Sequence, residues 1–163
     1  ALGLVLGWHD WDFEGGVREL RPVIEQNPKD GDAHFGLGSL LPALGQLDEA
    51  IAEIRRALEL DPLSASVSRW LARFLVYARQ YDEAIEQSRR TLEIDPNFAR
   101  AYLDMGHAHI AQGRRQEALA AYRKCQTLDG GAVSFGAFDA RALAALGEKE
   151  EARAVLAGLE EQA

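Results

Sequence analysis

The chain repeats itself every 34 residues. The segment LDEAIAEIRRALELDP at 47–62 returns as YDEAIEQSRRTLEIDP at 81–96, and 81 − 47 = 34. Related segments begin at positions 13, 115 and 149, in the same phase. Self-similarity at a fixed period of this length is typical of stacked structural repeats, in which each unit buries its apolar face against its neighbours. The period therefore predicts a stacked repeat array with a continuous core.

Apolar residues within each unit recur three and four positions apart, as in Ile51, Ile54 and Leu58. This spacing predicts amphipathic helices, and no segment alternates with the period of two that a strand requires. Each unit contains two such helical segments, separated near Gly45, Arg79, Gly113 and Gly147. Glycine suits the left-handed conformation at which many helices end. Each unit is therefore predicted to be a helix hairpin.

The second helix of a unit is predicted to end before a proline. The dipeptides that carry this signal are Asn27-Pro28, Asp61-Pro62 and Asp95-Pro96. The residue before proline is pushed out of the helical region, so the helix ends there. Pro42 lies instead inside the first helix of the second unit, where it cannot donate a hydrogen bond to the carbonyl of Gly38. We expect that helix to kink or fray at Pro42.

Small residues also recur with the period, and they predict a close approach of the helices. On the second helix they are Ala50, Ala84, Ala118 and Ala152. On the first helix they are Gly38, Ala72, Gly106 and Ala140.

These residues together resemble tetratricopeptide repeats, through Leu37, Gly38 and Leu41 or Met105 and Gly106, followed by the Ala, Ala, Pro spacing of the second helix. The resemblance implies an all-α fold, an α-solenoid of helix hairpins, with about five repeats of which the first is truncated. It implies a single domain over 1–163, with units at 1–30, 31–64, 65–98, 99–132 and 133–163. At the position of Leu41 the family commonly has tyrosine. The successive units of this chain carry Leu41, Leu75, His109 and Leu143 there.

A looser resemblance concerns DWDFEGGVRELRPVIEQNP and the DEAI units that follow it. They are similar to the repeat arrays attached to bacterial winged-helix transcription activators and class III adenylate cyclases. The resemblance implies that the chain is the regulatory arm of a larger bacterial protein. The only methionine is Met105, which agrees with a chain cut from a longer polypeptide. Trp8 and Trp11 in the incomplete first hairpin suggest packing against a further domain, or self-association.

Composition argues against several classes of function. The formal net charge of −8 and the pI near 5.0 disfavour nucleic-acid binding, which rewards clustered Lys and Arg. No run of eighteen apolar residues is present, so no membrane span is predicted. Cys125 is the only cysteine, which excludes an internal disulfide and agrees with a reducing, cytoplasmic location.

No residue pattern predicts catalysis, a metal or a cofactor. His107 and His109 are two residues apart on a helix and point to different faces, whereas a zinc pair prefers a spacing of four. No serine or cysteine completes a nucleophilic set with Asp104 and His107, and His109 and Cys125 are interpreted as buried packing residues. The chain is therefore predicted not to be an enzyme. Two alternatives to a partner-binding module remain open. The chain could be the repeat portion of a multidomain cyclase, kinase or transferase, or it could be a scaffold for homo-oligomerisation.

The family resemblance implies that the first helices line a concave groove that binds a protein or a peptide. The residues at those positions of the first helices that face the groove in the family are rich in arginine and aromatic side chains. The groove is therefore expected to be locally basic and aromatic, which suits an acidic partner. The predicted partner-binding residues are Phe35, Arg69, Trp70, Arg73, Tyr77, Arg100, Leu103, His107, Phe138 and Arg141. Arg69 and Arg73 form a like-charge pair one helical turn apart. Either an anionic ligand or Asp104 on the neighbouring first helix would compensate them.

Overall fold

The computed structural model describes residues 12–129, together with residues 144, 147, 149, 150, 153 and 157. Within 12–129 the chain forms α-helices, one short 3-10 helix and no strand. The helices are α1 Phe13–Gln26, α2 Gly31–Leu40, α3 Leu47–Leu60, α4 Ala65–Tyr77, α5 Tyr81–Ile94, α6 Ala99–Ala111 and α7 Arg115–Asp129, and the 3-10 helix is Leu41–Leu44. The prediction of an all-α fold is confirmed.

The helices pack as a row of hairpins. Within a hairpin, α2 contacts α3, α4 contacts α5, and α6 contacts α7. Between hairpins, α3 contacts α4, α5 contacts α6, and the two first helices α4 and α6 also contact each other. Helix α1 is the second helix of the first unit and packs against α2. Each unit therefore shares its buried surface with the next, as the 34-residue period predicts.

The helix ends lie where the sequence places them. Side chains of Asp30 and Ser64 cap α2 and α4 by accepting hydrogen bonds from the backbone N–H groups of Ala33 and Val67, at 2.9 and 3.4 Å. The second helices end just before Pro28, Pro62 and Pro96. Their C-cap residues are Asn27, Asp61 and Asp95.

The hairpin turns adopt the left-handed conformation. The values of φ are 75° at Gly45, 62° at Arg79, 74° at Gly113 and 89° at Gly147. The predicted break between the two helices of a unit is therefore confirmed at each of these positions, including the one that carries arginine.

Pro42 interrupts its helix as expected. Helix α2 ends at Leu40, and Leu41–Leu44 continue as a 3-10 helix with Pro42 in its first turn. Because proline has no N–H to donate, Pro42 removes one hydrogen bond of the α-helical ladder, and the chain continues here as a 3-10 helix. The backbone N–H groups of Gly45 and Gln46 instead donate to the carbonyls of Pro42 and Leu41, each at 3.1 Å.

The small residues allow the helices of a hairpin to approach closely. A Cβ atom added at Gly38 would lie 2.8 Å from Cγ1 of Ile54, and one added at Gly106 would lie 2.7 Å from Cε1 of Tyr122. On the second helices, Ala50, Ala84 and Ala118 are fully buried. The predicted close approach is confirmed there, while Ala140 and Ala152 lie outside the described residues.

Among the described residues, two hydrophobic clusters form the core. The larger one extends from α1 to α6, and the smaller one joins α6 to α7 through Leu103, Leu119, Tyr122 and Cys125. Cys125 and His109 are buried, as expected of packing residues. Most of the predicted fifth unit, together with Trp8 and Trp11, lies outside the described residues.

Candidate partner-binding site

The predicted partner-binding residues that the structure describes all lie on the first helices α2, α4 and α6. We call the surface formed by these three helices the first-helix face. Tyr77 and Arg100 are exposed, and Phe35, Trp70, Arg73 and His107 are partly exposed. Arg69 is buried. Phe138 and Arg141 lie outside the described residues.

Leu103 has to be removed from the predicted surface. Its side chain is only 2% exposed and belongs to the cluster that α6 forms with Leu119 and Tyr122 of α7. Leu103 therefore fills the interior of its own hairpin and does not reach the first-helix face. The phase of the repeat placed this residue on the correct helix, but it did not give the direction of the side chain.

Asp104 holds the two arginines of α4. Nε of Arg69 donates a hydrogen bond to Oδ2 of Asp104 at 3.0 Å, and Nε of Arg73 forms a close ion pair with Oδ1. The carboxylate is completely buried, whereas the side chains of Arg69 and Arg73 are 8% and 15% exposed. Of the two ways to compensate these arginines, the structure shows the internal one. We call these three residues the arginine–aspartate cluster.

The arginine–aspartate cluster carries more positive than negative charge. Two guanidinium groups share one carboxylate, so the cluster keeps one net positive charge when all three groups are ionised. Each guanidinium contacts Asp104 through Nε and has further N–H groups for other acceptors. One of these, Nη1 of Arg73, donates to the hydroxyl of Tyr77 at 3.2 Å.

Aromatic rings lie beside these cations along α4. The guanidinium carbon of Arg69 is 4.9 Å from the ring centroid of Trp70, and that of Arg73 is 5.7 Å from the ring of Tyr77. Such distances suit cation–π attraction. The buried ring of Phe74 connects the two, with centroid distances of 5.4 Å to Trp70 and 6.4 Å to Tyr77. Helix α4 thus offers a line of aromatic rings alongside two fixed cations.

His107 lies next to the arginine–aspartate cluster on α6. Burial lowers the pKa of His107 to about 4, and the positive charges of Arg73 and Arg69 act in the same direction. The imidazole is therefore neutral at pH 7, and its ring contacts Tyr122 edge-on at a centroid distance of 5.7 Å. Among the described residues, no three His, Cys, Asp or Glu side chains are grouped so that they could hold a metal ion.

Phe74 was missing from the predicted set; it is only 2% exposed and does not line the first-helix face, but its ring supports the site through its contacts with Trp70 and Tyr77. Its signal was present in the sequence, because Trp70, Phe74 and Tyr77 are four and three residues apart and share one helical face. The contact of Asp104 with Arg69 could also have been found from the separation of the two residues in the sequence. The two are 35 residues apart, one period plus one residue, which places them on neighbouring first helices.

The second helices carry a different set of charged contacts. Nη2 of Arg21 on α1 lies 2.8 Å from Oε1 of Glu49 on α3, and Nη2 of Arg55 on α3 lies 2.5 Å from Oε1 of Glu83 on α5. Both the arginines and the glutamates are 34 residues apart, so the same ion pair occurs at two successive interfaces. We call this pair of contacts the arginine–glutamate ladder.

The next interface changes partners. The positions that would continue the ladder are Arg89 and Glu117. Arg89 lies 3.8 Å from Glu86 of its own helix, and Glu117 lies 2.9 Å from Arg114. Within residues 12–129 the ladder thus covers the interfaces from α1 to α5.

No helix among the described residues is both long and apolar enough to cross a lipid bilayer.

Comparison with known proteins gives a consistent picture of the fold. Models of the tetratricopeptide repeat family match residues 12–65 and 75–125. Among curated proteins no relative matches the chain. Similar solved structures include TTC0263, a thermophilic tetratricopeptide repeat protein of Thermus thermophilus, with 19% identity, a TM-score of 0.84, and coverage of 99% of this chain and 88% of that one.

Two further solved structures have the same architecture. PilF of Pseudomonas aeruginosa is 22% identical with a TM-score of 0.83, and the match covers 99% of this chain and 73% of that one. MamA of Desulfovibrio magneticus is 19% identical with a TM-score of 0.78, covering 95% of this chain and 88% of that one. At these identities the likeness concerns the fold alone.

Proposed function

Because the chain belongs to the tetratricopeptide repeat family, we propose that its first-helix face binds a partner-protein segment that carries acidic and apolar side chains. The fold makes the chain a protein–protein interaction module. We further propose that it acts by binding and not by catalysis, in the cytoplasm, as the regulatory arm of a larger bacterial protein.

The observation that carries this proposal is the arginine–aspartate cluster. Its net positive charge lies within a chain whose formal net charge is −8, so the cluster differs in sign from the molecule as a whole. Charge complementarity of this kind directs partner choice and accelerates association. Arg73 is the more accessible of the two arginines, and we infer that it provides the main contact for a carboxylate.

The aromatic residues supply the apolar part of the proposed contact. Tyr77 is 55% exposed, and Trp70 and Phe35 are partly exposed on the same face. Tyrosine, tryptophan and arginine commonly carry most of the energy of a protein interface. Because Asp104 and the rings already fix the arginine side chains, little conformational entropy would be lost when a partner binds.

A peptide-display selection tests the proposal. The chain is immobilised at low salt and exposed to a random-peptide library, in parallel with the variant Arg69→Met, Arg73→Met, Asp104→Leu. Replacing a whole buried ionic cluster by apolar residues usually preserves the fold, which circular dichroism and thermal unfolding would check. We expect the wild type to enrich peptides rich in Glu, Asp and apolar residues, and the variant to lose the preference for acidic residues.

A matched control removes charges from the second helices. The variant Arg55→Met, Glu83→Met deletes one pair of the arginine–glutamate ladder and should enrich the same acidic peptides as the wild type. Equal enrichment of acidic peptides by the cluster variant, or no acidic enrichment by the wild type, would contradict the proposed function.

A further inference from the structure

The turn between α4 and α5 carries arginine at a backbone conformation that usually favours glycine. Arg79 has a φ of 62°, in the left-handed region, where Gly45, Gly113 and Gly147 occupy the other hairpin turns that the structure describes. The backbone bonding is equivalent at the different turns. The N–H of Gln80 donates to the carbonyl of Leu75 at 2.9 Å, just as the N–H of Gln46 donates to the carbonyl of Leu41 at 3.1 Å.

Glycine would therefore suit position 79 better than arginine does. A Cβ atom added at Gly45 or Gly113 would meet nothing within 4 Å, so the dihedral angle, and not lack of space, favours glycine in these turns. Arginine has no short polar side chain of the kind that helps Asn or Asp to tolerate this conformation. The side chain of Arg79 gives the fold one exposed hydrogen bond, to the hydroxyl of Tyr81, and the conformational cost calls for a further reason.

The surroundings of Arg79 suggest that reason. Its side chain is exposed, and its Nε donates to the hydroxyl of Tyr81 at 3.3 Å. Tyr77, two residues earlier, accepts a hydrogen bond from Arg73. An arginine–tyrosine pair thus lies on each side of the turn, and the first of them belongs to the first-helix face.

We propose that Arg79 is part of the partner-binding surface and extends it from α4 onto the α4–α5 turn, where it binds an acidic side chain of the same segment that contacts Arg73. This inference rests on the proposed function of the first-helix face. The occupant follows from charge complementarity, because an arginine fork pairs with carboxylates. Tyr81 holds the guanidinium group through Nε, and the remaining N–H groups can still donate to a partner.

The experiment separates binding from stability. The probe is the most enriched acidic peptide of the display selection, labelled with fluorescein, with a version in which Gln and Asn replace Glu and Asp as its control. Binding is measured by fluorescence anisotropy for the wild type, Arg79→Gly, Arg79→Asn and Arg79→Lys. Glycine and asparagine both tolerate a left-handed backbone, whereas lysine keeps the charge and the strain.

We expect Arg79→Gly to raise the melting temperature by about 2 to 4 °C because the backbone strain is relieved. Arg79→Gly and Arg79→Asn should both weaken binding of the acidic probe about threefold to fivefold, the effect of losing one exposed ion pair. Arg79→Lys should bind within about twofold of the wild type. The uncharged control peptide should bind all four proteins equally.

Different failures have different meanings. If Arg79→Gly and Arg79→Asn bind the acidic probe as tightly as the wild type, while the variant of the arginine–aspartate cluster does not, this inference is wrong and the proposed function stands. If the selection yields no acidic peptide, or the wild type does not distinguish the acidic probe from its uncharged control, both fail.

Discussion

The first helices and the second helices both connect neighbouring repeats through ion pairs, but those of the second helices are exposed and those of the first helices are buried. In the arginine–glutamate ladder the side chains of Arg55 and Glu83 are 46% and 49% exposed. In the arginine–aspartate cluster the side chains of Arg69 and Asp104 are 8% and 0% exposed. Exposed pairs are screened by water and salt, and they contribute little to stability. A buried carboxylate, in contrast, depends on its partners for the interactions that water would otherwise supply.

The two sets of contacts also differ in how often they occur. The ladder uses positions that recur from unit to unit, whereas the residues one period before Arg69, Arg73 and Asp104 are Phe35, Ser39 and Trp70. Within residues 12–129 the cluster therefore forms at a single interface. Contacts that recur belong to the stacking of the array, and a unique buried contact marks the place where this chain differs from a uniform repeat.

The strongest test of this contrast removes Asp104. In Asp104→Ala the guanidinium groups of Arg69 and Arg73 stay buried without their carboxylate and repel each other. We expect the free energy of unfolding to fall by about 3 to 5 kcal/mol, measured by urea denaturation. The variant with Met, Met and Leu in place of the three cluster residues should recover most of the loss. A loss below about 1 kcal/mol would mean that the cluster contributes no more to stability than an exposed ion pair does, which would contradict the contrast.

The second test uses pH to detect the burial of His107 beside the positively charged cluster. The folded-state pKa of His107 is about 4, below its ordinary value of 6.5, so below pH 6.5 the unfolded chain binds a proton that the folded chain does not. Stability should therefore fall as the pH decreases, and His107 should contribute about 2 kcal/mol of the loss between pH 7 and pH 5.

The matched variant for this test is His107→Gln, which keeps a polar side chain but does not titrate. Its unfolding free energy should decline less than that of the wild type between pH 7 and pH 5, by the same amount of about 2 kcal/mol. Parallel curves for the two proteins would show that His107 does not experience the burial and positive charge that the structure assigns to it.

The smallest effect is expected in the ladder. Arg55→Ala and Glu83→Ala should each lower the free energy of unfolding by less than about 1 kcal/mol, and their coupling in a double-mutant cycle should be about 0.5 kcal/mol. The coupling should disappear at high salt, because exposed charges are screened. A coupling above about 2 kcal/mol that persists in salt would remove the contrast between the two sides.

The fold could be predicted from the sequence because its signals are local and repeated. Pro42 ended its helix, and the residues before Pro62 and Pro96 ended theirs, through constraints that act within a few residues. The Asp-Pro dipeptide that ends the second helix recurs at the same position of the next unit. A signal that recurs in several units is better evidence for a helix end than one that occurs once, because a single occurrence can arise by chance.

The site could be predicted only in part, because it depends on how neighbouring helices are rotated and how closely they pack. Phase placed Leu103 and Arg69 on the correct helices, but it did not show that Leu103 turns into the hairpin or that Arg69 is buried against Asp104. The ladder is visible in the sequence as Arg and Glu at 34-residue intervals. It was overlooked because charges on the outer side of a helix usually face only water.

The arginine–glutamate ladder has a consequence for how such an array can grow. The unit with Glu49 and Arg55 contributes a glutamate toward the preceding unit and an arginine toward the following one. A gene duplication that inserts one more such copy would bring matching partners for both of its neighbours. The arginine–aspartate cluster lacks this property, because Arg73 and Asp104 come from two different units in a fixed order. An extra copy of either unit would keep the cluster at one interface, and at the other it would leave either the arginines or the carboxylate without matching partners.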